Sequence, residues 1–358
     1  MTYSVNFANY TIGKEAYKNV NEVCRQYGTK ALLIGGKLAL EAGKEKLLQA
    51  LAEGENPVTI VDTVLFGEDC TYAGMEKIAA HVKKCGADMI FGMGGGKALD
   101  TAKGTAEKCA LPVFTFPTIA ATCAATTALS VVYKEDGNFD SFYFYEKPAR
   151  HSFIDTEIIA AAPECYLRAG IGDTLGKYFE CHFSARGDRL THSSALGREI
   201  SNMCYLPLRE YAESALEECR ENQAGEALEQ AVLANIVSTG LVSLLVLDDY
   251  NGAIAHSVYY GLVLLPGFEE KNLHGDVVAY GVLVQLMIDG EEEKAREMKG
   301  FLEKLGIRTT LAEMGDPLER EALTAVLKEI VTGPDMEHIP YEVTEDMVYD
   351  ALCKVEEL

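Results

Sequence analysis

Short aliphatic and β-branched runs alternate with amphipathic stretches over the first part of the chain. Lys30-Ala31-Leu32-Leu33-Ile34 closes on Gly35-Gly36, and Val58-Thr59-Ile60-Val61 forms a second run. Met89-Ile90-Phe91 leads into a glycine cluster, and Val113-Phe114-Thr115-Phe116 leads into Pro117. Runs this short, bounded by glycine or proline, have the pattern of buried strands. Segments 73–84 and 99–108 lie between them at helical period. This alternation predicts a Rossmann-like parallel sheet with helices on both faces. Beyond Pro163 the period changes, and segments 167–183, 193–220, 224–245, 273–288, 291–305, 317–331 and 344–356 read as helices. The expected architecture is an α/β domain over 1–162 followed by an all-α domain over 163–358.

Length and composition agree with that division. A chain of 358 residues exceeds one typical core and suits two domains. Its net charge of −23 would repel a phosphate backbone, which argues against nucleic acid as a partner. No uncharged apolar run of membrane-spanning length stands out, and no secretory pattern opens the sequence. A cytoplasmic protein without membrane partners is expected, and assembly as a homo-oligomer. The ten cysteines contain no C-x-x-C pair and read as reduced thiols, most of them small apolar fillers.

The string Gly92-Met93-Gly94-Gly95-Gly96-Lys97-Ala98-Leu99-Asp100-Thr101-Ala102-Lys103 follows a strand and opens a helix. Consecutive glycines let backbone N–H groups approach an anion, and the helix N-terminus adds a favourable dipole. Neither the G-x-G-x-x-G nor the P-loop fingerprint is present. Taken alone, the loop fits a bound phosphate or an unliganded tight turn.

This string, G-x-G-G-G-K-x-x-D-T-A-K, resembles the diphosphate loop of glycerol dehydrogenases, within the dehydroquinate synthase and iron-type alcohol dehydrogenase superfamily. The segment from Pro117 to Tyr133 is similar to the same family, and the resemblance continues through 169–180 and 252–285. It implies a dehydroquinate synthase-like fold and an NAD(H) or NADP(H) cofactor. Gly94, Gly95, Gly96, Lys97 and Asp100 would hold the diphosphate end, with Thr118, Ala121, Thr127, Leu129 and Tyr133 near the nicotinamide half. It further implies a divalent ion, zinc by preference, held by Asp173, His256 and His274 in Gly172-Asp173, Ala255-His256-Ser257 and Leu273-His274-Gly275. One carboxylate and two imidazoles suit such an ion and leave positions open for substrate. Ligands from the helical part and a cofactor on the sheet imply a site in the cleft between them.

Departures from the family pattern bear on specificity. Iron-type members carry a His four residues after the Asp, where this chain has Lys177. Phosphate-bearing substrates would require basic residues, and 256–274 contains only Lys271. Cys123 replaces the Asp that contacts polyol hydroxyls, and the surrounding residues resemble the hydroxycarboxylate dehydrogenase A group. A 2-oxo or 2-hydroxy acid is therefore the expected substrate. The other reading treats Cys123 as a neutral replacement and the enzyme as a polyol dehydrogenase making dihydroxyacetone from glycerol. Tyr259 stands where the family has a His relay, and its phenol is a poor base at neutral pH. Lys37 replaces an acid at the end of a strand, which favours NADPH; a solvated lysine with no ligand is the alternative. A non-catalytic nucleotide binder would have lost the loop or the three ligands, and this sequence keeps both.

Overall fold

The computed structural model describes residues 4–54, 56–316 and 318–358. Six strands form one parallel sheet: β1 (Asn9–Ile12), β2 (Lys30–Gly35), β3 (Thr59–Leu65), β4 (Met89–Gly94), β5 (Val113–Pro117) and β8 (His151–Ile154). Their order is β1-β8-β5-β4-β2-β3. Between β5 and β8 an antiparallel hairpin, β6 (Leu129–Tyr133) with β7 (Phe139–Phe144), stands apart from the main sheet. The four expected strands are β2 to β5. Strands β1 and β8 and the hairpin are not marked by apolar runs.

Helix α1 (Lys37–Ala52) covers one face of the sheet through Leu47 and Leu51. Helices α2 (Tyr72–Cys85) and α3 (Gly96–Cys109) cover the other through Ile78, Val82, Ala102 and Ala106. At the centre of the α1 face, Phe116 stacks on Phe153 at 5.1 Å and meets Phe91 at 5.0 Å and Tyr17 at 5.4 Å. Burying a side chain of this size contributes roughly 1.5–3 kcal/mol.

Strand order fixes where a ligand can lie. From β2 the chain crosses through α1 outward to β3, whereas from β4 it crosses through α3 the opposite way to β5. The carboxyl ends of β2 and β4 therefore flank a topological switch point, where open parallel sheets leave a crevice. Lys37 and the glycine loop lie at those two ends.

The remainder of the chain is helical: α4 (Glu164–Ser184), α5 (His192–Ile200), α6 (Leu206–Arg220), α7 (Glu226–Leu245), α8 (Ile254–Leu262), α9 (His274–Ile288), α10 (Glu292–Lys304), α11 (Thr324–Thr332) and α12 (Glu345–Glu357). Segment 193–220, expected as one helix, is two. Pro207 sits in the first turn of α6, where its missing N–H costs nothing, whereas mid-helix it would break the ladder. The expected helix at 317–331 begins only at Thr324; its first position, Pro317, lies outside the described residues. Helix α7 is long and apolar enough to cross a membrane by composition, yet most of it is buried in the helical core. Helix α9 is apolar on all sides and buried almost throughout, as expected of the central helix of a bundle.

Candidate active site

The glycine loop joins β4 to α3. Gly94 has φ +148, and a Cβ there would lie 2.8 Å from the Cβ of Ala98, so the turn requires glycine on both counts. The first N–H groups of α3 have no intrahelical partner and can serve an anion. The strap following β5 folds back on this loop. Thr118 N donates to Gly94 O at 3.2 Å, and the Ile119 side chain closes on Gly95. Lys97 pairs with Asp69 and lies 4.8 Å from the centre of the Tyr133 ring. The structure thus brings Gly94, Gly95, Gly96, Lys97, Thr118 and Tyr133 together, with Ala121 further along the strap and Leu129 at the start of β6. Lys37 opens α1 one strand away, exposed, because Gly35 of β2 pairs with Met93 of β4.

Asp100 has structural partners: its carboxylate is buried, pairs with Lys103 Nζ at 2.9 Å and accepts from Val131 N at 3.0 Å, so it ties α3 to β6. Lys103, not singled out by the sequence, is the strut of the strap. Its ammonium donates to Ala124 O at 2.8 Å, to Thr127 Oγ1 at 3.2 Å and to the Leu129 carbonyl. Thr127, expected near the nicotinamide, is buried and engaged in this strut through its hydroxyl.

Asp173 on α4, His256 on α8 and His274 at the start of α9 converge, each offering a ligand atom within 4.8 Å of the others. Asp173 Oδ1 is 3.4 Å from Nε2 of His256 and 3.4 Å from Nε2 of His274. Two donors bound at about 2.1 Å with tetrahedral geometry stand about 3.4 Å apart, so the set fits a zinc-sized ion. Burial opposes charge on Asp173, but hydrogen bonds from His256 and His274 hold its carboxyl well below the usual range.

Helix packing explains the convergence. A Cβ on Gly172 would lie 2.2 Å from the Gly275 carbonyl oxygen, and one on Gly275 would lie 1.7 Å from that of Ala169. Only glycine permits α4 and α9 to approach this closely, and the neighbours of these glycines are Asp173 and His274. Arg168 and Asp276 lock the crossing through a two-point ion pair at 2.9 and 3.2 Å.

The sequence reading also misses Glu180. Its carboxylate is fully buried; Oε1 accepts from Ala253 N and His256 N at 2.8 Å, and Oε2 faces His256 Nδ1 at 2.5 Å. A carboxylate only accepts, so Nδ1 carries a proton, and an ion arriving at Nε2 would displace the proton that this nitrogen otherwise shares with Asp173. Burial pulls His256 down, but Glu180 and Asp173 push it up to about 10. The usable signal was spacing: Glu180 lies seven residues after Asp173, on the same helix face. Asn235 is a second omission. It sits in a π-helical stretch of α7 (Leu233–Ser238), accepts from Thr174 at 3.0 Å and donates to Ala120 O at 3.0 Å, tying the strap to α4.

Burial pushes the Cys123 thiol up to about 12; the Asp173 charge adds to this, while Lys177 and Lys103 oppose it. At neutral pH the thiol is uncharged. Tyr259 packs edge-on against His274 at 4.3 Å and its hydroxyl donates to Glu269 at 3.3 Å. Burial and Glu269 push this phenol far up, so it stays protonated.

Comparison with known proteins places this geometry. The family described as iron-containing alcohol dehydrogenase matches residues 8–156. The glycolaldehyde reductase of Halobacterium salinarum is 31% identical over 98% of this chain and 96% of its own length. The chain belongs to the iron-containing alcohol dehydrogenase family. Hydroxycarboxylate dehydrogenase A of Escherichia coli is 33% identical over 92% of this chain and 90% of its own. The crystal structure of glycerol dehydrogenase from Schizosaccharomyces pombe superposes with a TM-score of 0.88 at 29% identity, covering 99% of this chain and 91% of that one. Several further relatives carry the name glycerol dehydrogenase. Within the iron-containing alcohol dehydrogenase family the chain lies in the glycerol dehydrogenase branch and is a nicotinamide-dependent alcohol dehydrogenase-type oxidoreductase.

Proposed function

We propose that this enzyme interconverts a small 2-oxo acid and its 2-hydroxy acid, using NAD(P)H and a divalent ion, zinc by preference. The observation that carries the reading is the half-buried, uncharged thiol of Cys123, close enough to Asp173 to feel its charge. A carboxylate in that position would accept hydrogen bonds from a polyol and repel an anionic substrate. A neutral thiol does neither, and it leaves the anion free to approach the metal.

When bound, the ion supplies Lewis acidity toward the substrate oxygen and the nicotinamide carries the hydride. The remaining work falls to the chain. Asp173, His256 and His274 would hold the ion, and Glu180 would keep Nε2 of His256 turned toward it. The loop Gly94–Gly96 and the start of α3 receive the diphosphate, while Lys103 and Asn235 fix the strap on which Cys123 sits. Tyr259 stays protonated and packs against His274, limiting its rotation. Lys37, with no carboxylate at its strand end, supports acceptance of NADPH beside NADH.

The deciding experiment is an absorbance assay over 2-oxo acids, dihydroxyacetone and glycerol, with both cofactors and with or without chelator. Oxidation of NAD(P)H by 2-oxo acids, abolished by chelator and restored by the ion, supports the reading. Efficient glycerol turnover with no activity on any 2-oxo acid sinks it, and a large preference for NADH removes the role of Lys37.

A further inference from the structure

We infer that Lys177 is the specificity-determining residue that receives the substrate carboxylate. This inference rests on the 2-oxo acid reading and deepens it.

Lys177 lies four residues after Asp173 and three before Glu180. Spacings of four and seven put these side chains on one helix face, so the ammonium rises from the surface that bears the metal ligand. The residue is 8% exposed. Its partners are both neutral: Asn251 O at 2.5 Å and Asn251 Oδ1 at 3.1 Å. Among the described residues no carboxylate lies within ion-pairing distance of it. Asp335, packed against Gly252, feels the Lys177 charge but does not pair with it, and burial pushes that carboxyl up.

Buried ammonium groups usually have a counter-charge, because desolvation without one is strongly unfavourable. Of the other lysines buried to this degree, Lys103 has Asp100, while Lys299 reaches only the Val355 carbonyl at 3.1 Å and sits on α10, which carries none of the three candidate ligands. An ammonium has three donors, and Asn251 occupies two. No other described residue takes the third, and Lys177 stands one helical turn from Asp173, near enough to Cys123 for its charge to act on that thiol. The carboxylate of a 2-oxo acid, adjacent to its keto carbonyl, would supply the missing negative charge. An uncharged polyol would not.

The test compares two ketones of matched size, pyruvate and hydroxyacetone, on the metal-loaded enzyme with saturating reduced cofactor. Lys177→Gln removes the charge while keeping donors toward Asn251, Lys177→Met removes both, and Lys177→Arg keeps the charge. Losing one charge-assisted hydrogen bond should raise the KM for pyruvate by about 10–100-fold in the first two variants. The kcat/KM for hydroxyacetone should move by less than about threefold. Lys177→Arg should recover part of the pyruvate affinity. Inhibition by oxamate, an unreactive anion of the same shape, should weaken in parallel with the pyruvate KM, and bound metal should stay at the wild-type level. Equal losses for both ketones, or loss of metal from Lys177→Gln, would overturn the assignment. Failure of the underlying reading looks different: the wild type itself would reduce hydroxyacetone and ignore pyruvate.

Discussion

Nδ1 of His256 lies 2.5 Å from Oε2 of Glu180, a carboxylate with no solvent exposure. The contact places a proton on Nδ1, and through it the candidate metal site would depend on a residue outside the ligand set. In Glu180→Gln the amide oxygen can still accept the two backbone N–H groups, which turns the amide NH2 toward Nδ1. The ring proton must then move to Nε2, the nitrogen facing the ion. Metal affinity should fall by about 10–100-fold, measured by competition with a chromophoric chelator. Unchanged affinity would show that the tautomer is not held by Glu180.

The crossing of α4 and α9 makes a second prediction. Gly275→Ala places a methyl group 1.7 Å from the Ala169 carbonyl oxygen, and backbone on both sides must move. Overpacking of this kind costs about 1–3 kcal/mol, and here the displacement falls next to His274. Thermal unfolding should drop by several degrees, and metal content after dialysis should drop with it. Gly300→Ala, on an open face of α10 with nothing within 4 Å of the added atom, is the control and should do neither.

Lys103 holds the strap by four carbonyl or hydroxyl contacts, and its charge is balanced by Asp100. Lys103→Met leaves a buried carboxylate unpaired, at a cost of about 3–5 kcal/mol. Adding Asp100→Asn should recover part of that stability but not the strap. Reduced cofactor should therefore bind more weakly in both the single and the double variant, as read by NADH fluorescence. Recovery of cofactor affinity in the double variant would show that the strap does not need the lysine.

His151 gives a pH dependence on the sheet, remote in the chain from the ligands. Burial lowers it from the ordinary histidine value to about 4, and its Nε2 meets Thr11 Oγ1 at 2.8 Å. Between pH 4 and 6.5 the unfolded chain binds a proton that the folded chain refuses, so stability falls as pH drops through that window. The loss approaches ~3 kcal/mol at its acid end. In His151→Gln the fall in urea-unfolding free energy from pH 7 to pH 4.5 should be smaller than in the wild type by about 2 kcal/mol. Parallel pH profiles for the two proteins would rule the residue out.

The sheet strands that hydrophobic pattern announces are those buried on both faces, β2, β4 and β5, with β3 beside them. Strand β1, Asn9-Tyr10-Thr11-Ile12, and strand β8, His151-Ser152-Phe153-Ile154, are half polar and four residues long. Their pairing joins segments about 140 positions apart, and no local pattern carries that information. Helix α8, nine residues long, is equally quiet, although it bears His256. The three side chains that converge, Asp173, His256 and His274, were legible through motifs. Glu180 offered only its seven-residue spacing from Asp173, because a glutamate on a helix ordinarily faces water and the fold is what encloses this one. Asp100 sits inside the loop motif, yet its carboxylate points into the protein.

The glycine contact between α4 and α9 also decides what motion the metal site can tolerate. Asp173 and His274 each sit one residue from the point where the two helices touch. That point is a pivot, and the ligands ride on its hub. A tilt of α9 by about 5° about Gly275 would swing Ile288 by about 2 Å, yet shift the His274 backbone by only a few tenths of an ångström. A tilt of that kind would leave the spacing of Asp173 and His274 nearly unchanged, so the far ends of the helices could shift without disturbing the side chains that would hold an ion.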